Sequence, residues 1–225
     1  GCLGATAPAA TDFWVKDDAG RITHTFSGKG PLVMCMQGRK VVMQVQSDST
    51  TGFSYTARFY NVQRDILKKK KIIFEAGRES NPEVRVNDQP LKIEFPSSAT
   101  FDGLLTSSYP ATEGVVVTRT VYPSTTKALV IEEWQMRNTT GQRITVTVAP
   151  ARRVRLVDES IAIVWNCPGV PSVLVEPDGL ISFATWLQAG LAAEPDLAVS
   201  VAVERGARRA LAEAAWRGPG RLETP

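Results

Sequence analysis

The chain has a single histidine, His24, flanked by Thr23 and Thr25 in a run that alternates like a strand. One imidazole excludes His-rich metal sites and any mechanism that needs two. No GxSxG stretch supplies a nucleophile elbow. His24 therefore reads as a packed or surface side chain. Glycoside cleavage usually needs two carboxylates. Glu132-Glu133 is the only adjacent acidic pair inside a strong strand pattern. Strand neighbours point to opposite faces, so these two cannot serve one substrate together. Glu133 could face the interior or a cleft, and the plainer reading is a solvated or ion-paired strand residue. Asp17-Asp18 and Asp158-Glu159 read as turns, and no Gly-rich phosphate loop precedes a helix. The sequence assigns no catalytic residue, and it implies no metal and no cofactor.

Cys2, Cys35 and Cys167 match no zinc or CxxC spacing. Cys35 falls in the apolar run Leu32-Val-Met-Cys-Met36, where an inert core thiol is expected. Cys167 precedes Pro168-Gly169 in an expected turn, and a Cys35–Cys167 disulfide stays open. Cys2 heads a small-residue tether, Leu3 to Thr11, like the start of a mature bacterial lipoprotein. That makes Cys2 a lipid-attachment candidate and suggests export to the periplasm or cell surface. The alternative is a cysteine in a plain tail.

Aromatic rings are the remaining lead for sugar stacking. Most lie in predicted strands, where core packing is the default. Tyr109 and Trp216 fall outside confident strands. Tyr109, Trp134 and Glu133 are the candidate carbohydrate contacts, with Tyr109 also readable as a loop residue packed on the core. The net charge of +3 gives no case for a nucleic-acid surface. The one dense basic run, Lys68 to Lys71, reads as a solvated turn or a lysine-protected edge. No segment approaches the roughly 18 apolar residues of a membrane span.

These residues must be positioned by β-structure. Phe13–Lys16 with Arg21–Phe26, Leu32–Met36 with Lys40–Gln46, and Val84–Val86 with Leu91–Phe95 read as hairpins around turn clusters. Gly114–Tyr122, Ala128–Arg137 and Arg143–Ala149 read as an antiparallel meander, rich in β-branched residues. Ile161–Trp165, Leu180–Trp186 and Ala198–Val203 are expected to continue it. Many short strands without interleaved helices predict an all-β fold, a large sandwich of two antiparallel sheets. A flexible tail is expected over 1–11, the sandwich over 12–203, and a linker helix with a lead-in to an absent domain over 204–225. The helix carries an apolar stripe, Ala207, Ala210, Leu211, Ala214 and Ala215. Leu211, Trp216 and Leu222 are the candidate contacts to that absent domain; a helix pinned to its own sandwich is the alternative for Trp216.

The phrases Arg119-Thr-Val-Tyr-Pro123 and Glu132-Glu-Trp-Gln-Met-Arg-Asn138, with the turn Asn138-Thr-Thr-Gly141 and the strand Ile144 to Val148, carry a resemblance. Residues 84 to 225 resemble the N-terminal super-sandwich of bacterial six-hairpin glycosidases, enzymes built on an (α/α)6 barrel. The resemblance implies a sandwich, a linker helix and then a barrel that holds the catalytic carboxylates, so none is carried over to this chain. It implies a non-catalytic domain of an exported glycoside hydrolase, with the barrel in cis and carbohydrate as partners. The alternative is a free-standing carbohydrate-binding or cell-surface adhesion module. A mutarotase-like sandwich enzyme is disfavoured by the lone His24.

Overall fold

The computed structural model describes residues 14–26, 32–48, 52–60, 72–93, 95–157 and 159–192. Among the described residues, seventeen strands and one 3-10 turn make up the regular structure. In chain order they are β1 Val15–Lys16, β2 Ile22–Thr25, β3 Leu32–Gln37, β4 Val41–Asp48, β5 Gly52–Phe59 and β6 Ile72–Ala76. A 3-10 turn at Arg78–Ser80 leads to β7 Val84–Val86, β8 Gln89–Pro90, β9 Ser98–Phe101, β10 Leu105–Ser108 and β11 Val115–Pro123. The remainder are β12 Leu129–Asn138, β13 Ile144–Val148, β14 Ala151–Leu156, β15 Ile161–Cys167, β16 Val170–Val175 and β17 Leu180–Leu191. No α-helix occurs among the described residues.

The strands form one nine-stranded antiparallel sheet, ordered β1-β2-β9-β10-β11-β12-β17-β15-β14, and two four-stranded ones, β16-β13-β7-β8 and β3-β4-β5-β6. Both small sheets bury their apolar face in one core shared with the inner face of the large sheet. This is the antiparallel sandwich that the strand pattern predicts, with one layer divided into two four-stranded sheets instead of the expected single one. Period-2 alternation sets the faces. In β11, Val115, Val117, Arg119 and Val121 are buried, and the residues between them are half-exposed.

The expected meander breaks after β12. β11 pairs β12 and β12 pairs β17, while β13 crosses to a small sheet between β16 and β7. Asn138 sits at the switch and braces it. Its buried amide donates to the carbonyls of Gln142 at 2.7 Å, Glu176 at 3.0 Å and Val175 at 3.1 Å, and its Oδ1 accepts from the Thr140 amide at 2.9 Å. One side chain thus takes over the bonding of a backbone that has left its sheet.

The 84–95 hairpin is tighter than expected. Asn87 and Asp88, at φ 49° and 65°, form a two-residue turn, and Gln89–Pro90 is already strand. Cys35 is exposed rather than in the core, because β3 alternates and Leu32 and Met36 take its buried positions. Cys35 and Cys167 are both free thiols, so the disulfide left open by the sequence is not formed. Residues 1–11, Lys68 to Lys71, Ala198–Val203 and 204–225 lie outside the described residues, and with them Cys2, Leu211, Trp216 and Leu222.

Candidate functional site

The residues that sequence reasoning passed over are Arg119 and its partners. The β11–β12 register brings Arg119 opposite Trp134 and Val121 opposite Glu132, all on the inner face. Arg119 is 1% exposed and Glu132 is fully buried. Arg119 Nη2 donates to Glu132 Oε2 at 2.7 Å, and Tyr55 Oη, from the facing sheet, donates to Glu132 Oε1 at 2.6 Å. The guanidinium lies 4.0 Å from the Phe53 ring centroid and 4.7 Å from that of Trp134. Nη1 reaches Asn81 Oδ1 at 3.4 Å, and Nε has no hydrogen-bond partner.

Burial, and then the Glu132 charge, push the Tyr55 phenol well above its usual range. Burial also raises the Tyr109 pKa against the lowering charge of Arg119. The Tyr109 hydroxyl stands beside the guanidinium but closes no well-formed hydrogen bond. Burial works most strongly against the Arg119 charge; the facing Glu132 carboxylate, together with Tyr109 and Tyr55, outweighs it and keeps the pKa above the usual value. This cluster is a desolvated ion pair enclosed by protein groups, with Arg119 Nε and the Tyr109 hydroxyl left without hydrogen-bond partners. A group so enclosed ties β5 to β11 and β12 and presents no atom to a substrate.

The three candidate carbohydrate contacts end up on different sides of the sheet. Tyr109 and Trp134 are buried; Trp134 stacks on Phe183 at 6.4 Å between centroids and donates to Thr185 Oγ1 at 3.3 Å. Glu133 is half-buried on the outward face opposite Thr120, where it accepts from the Tyr122 hydroxyl. Tyr109 and Trp134 thus share the Arg119 surroundings, and Glu133 stands apart from them. His24 is buried between the rings of Trp14 and Phe26, which makes it a packed residue as expected.

The sequence did hold one signal for the buried pair. In a strand of otherwise alternating Val and Thr, Arg119 falls on the Val phase. Its partner Glu132 falls on the phase of Val130 and Trp134. Among the described residues, no cluster of three or more His, Cys, Asp or Glu side chains could hold a metal ion. Nor, among them, is any helix long and apolar enough to cross a membrane. No family model and no curated protein matches the chain.

Proposed function

We propose that this chain is the non-catalytic sandwich domain of an exported carbohydrate-active enzyme, a glycoside hydrolase of the six-hairpin kind. Its task is to support a helical-barrel catalytic domain in cis. The observation that carries the reading is where the resembling phrases fall. Arg119–Pro123 and Glu132–Asn138 lie on β11 and β12, paired in register near the middle of the large sheet. Their charged pair, Arg119 and Glu132, is spent inside the core, which suits a supporting role rather than chemistry. The link to a family rests on resemblance, and function belongs to sites rather than folds, so the test must be biochemical.

The test is to express the reading frame that contains the chain and to assay it on aryl glycosides and oligosaccharides. The expected result is cleavage by a longer protein and none by the 225 residues alone. A reading frame without a helical domain after Pro225, or a longer protein inactive on every glycoside, overturns the proposal. Export with a lipid on Cys2 belongs to the same reading. Radiolabelled palmitate retained by the wild type and lost in Cys2→Ser checks it.

A free-standing sugar-binding module is the second reading, favoured by the hydroxyl row on the outward face. Thr23, Thr100, Thr106 and Thr120 pair across β2, β9, β10 and β11, and Glu133 follows on β12. Glycan-array binding that is weakened by Glu133→Gln supports it. An array without signal sinks it.

A further inference from the structure

The inner face of the large sheet carries a polar patch inside an apolar core. Across β9, β10, β11 and β12 the register sets Ala99, Ser107, Arg119 and Trp134 side by side in one row. Ala99 and Ser107 are fully buried, and Tyr109, two residues beyond Ser107, is 5% exposed. The Tyr109 amide donates to the Val117 carbonyl, which continues the β10–β11 pairing and keeps Tyr109 on the face of Ser107. Three polar atoms of this patch have no hydrogen-bond partner: Ser107 Oγ, Tyr109 Oη and Arg119 Nε. The rest of the guanidinium is engaged, Nη2 by Glu132 at 2.7 Å and Nη1 by Asn81 at 3.4 Å. Native cores leave few polar atoms unmatched. Three of them on one patch point to a shared partner.

We propose that this patch is a binding site for an internal water molecule, held by Arg119 Nε, Ser107 Oγ and Tyr109 Oη. A water bonded to two groups at about 2.8 Å each holds them roughly 4.5–5.5 Å apart. That is also the scale on which opposed side chains of paired strands are spaced, and Ser107 is opposed to Arg119. Volume fits as well, because the small side chains of the row, Ala99 and Ser107, come next to Arg119. The chemistry selects water over an ion. Glu132 already matches the Arg119 charge, so an ion of either sign would bring an uncompensated charge into the core. Nε only donates, whereas each hydroxyl both donates and accepts. The occupant must therefore accept from Nε and exchange hydrogen bonds with two hydroxyls, a set of partners usual for buried water. Bound there, it joins β10 to the polar cluster of Tyr55, Arg119 and Glu132. The site lies in the core, so this inference stands or falls apart from the proposed function.

The test uses the full chain, labelled with nitrogen-15, and reads the Arg119 Nε–H proton by water-selective NMR. The expected result is a dipolar cross-peak between that proton and water, of the sign that slowly exchanging water gives. Tyr109→Phe is expected to keep the cross-peak, because two polar partners remain. Ser107→Val is expected to abolish it, because a methyl group then takes the place of the water. Should Ser107→Val fail to fold, as judged by far-UV circular dichroism, the wild type and Tyr109→Phe decide. A wild-type Nε–H that shows cross-peaks to the Ser107 or Tyr109 hydroxyl proton and none to water overturns the proposal, since the protein groups then satisfy one another. So does a water cross-peak that vanishes in Tyr109→Phe, because the tyrosine hydroxyl would then have been relaying bulk solvent. A cross-peak that persists unchanged in a folded Ser107→Val overturns it too.

Discussion

At the residue scale the fold is organised around a charge. Arg119 and Glu132 pair in the core at 2.7 Å, so the cost of desolvating each is met by the other, by Tyr55 and by the aromatic faces around the guanidinium. Removing one partner alone strands the other. Arg119→Met is expected to cost about 3–5 kcal/mol in urea unfolding, and the triple variant Arg119→Met, Glu132→Leu, Tyr55→Phe to recover most of it. A triple variant as unstable as the single one would show that the polar cluster outperforms apolar packing. The tyrosines give a second test. Burial first of all raises the folded-state pKa of Tyr109, so the folded chain holds that proton more tightly than the unfolded chain does. Its stabilising contribution is complete below about pH 10 and falls as pH rises above it, by up to roughly 1.4 kcal/mol per pH unit. Tyr109→Phe is therefore expected to flatten the loss of urea stability above pH 10 relative to wild type. Equal slopes in the two proteins would refute this.

At the element scale, local signals were legible and non-local ones were not. The 17–20 turn and the turns that follow Gln37 and Pro123 emerge where Gly, Pro and polar clusters interrupt alternating runs, because a hairpin is decided by a few adjacent residues. The opposite faces of Glu132 and Glu133 followed from period alone. The partner of β12 did not, since β13 and β17 have equally strand-like sequences and only the assembled sheets choose between them. Asn138 braces the crossover with its hydrogen bonds, and in the sequence it looks like one more polar turn residue. Asn138→Asp keeps its shape but removes the donors to Gln142, Val175 and Glu176 and sets a carboxylate against carbonyl oxygens. The expected cost is about 2–3 kcal/mol, read as a lower thermal midpoint. A midpoint within error of wild type would mean the crossover is held by the strands alone.

At the scale of the whole molecule, the sandwich class was legible because many alternating strands need a facing layer to bury their apolar sides; that the facing layer is two four-stranded sheets rather than one was not. The candidate site was not, since burial decides which aromatic or charged side chain meets solvent, and burial belongs to the assembled layers. Trp134 and Glu133 are adjacent in sequence and stand on opposite faces of the sheet. The same layering makes a prediction about cooperativity. Val146 in one small sheet and Val45 in the other belong to a single core, bridged by the inner face of the large sheet. One contiguous core should unfold as one unit. Val146→Ala leaves a cavity costing about 2 kcal/mol. That loss is expected in full at the slowest-exchanging amides of β4 and β5, on a sheet that Val146 does not belong to. Were hydrogen exchange in β4 and β5 unchanged while β13 and β16 loosened, the two small sheets would be separate cooperative units, and the large sheet a platform rather than a shared core.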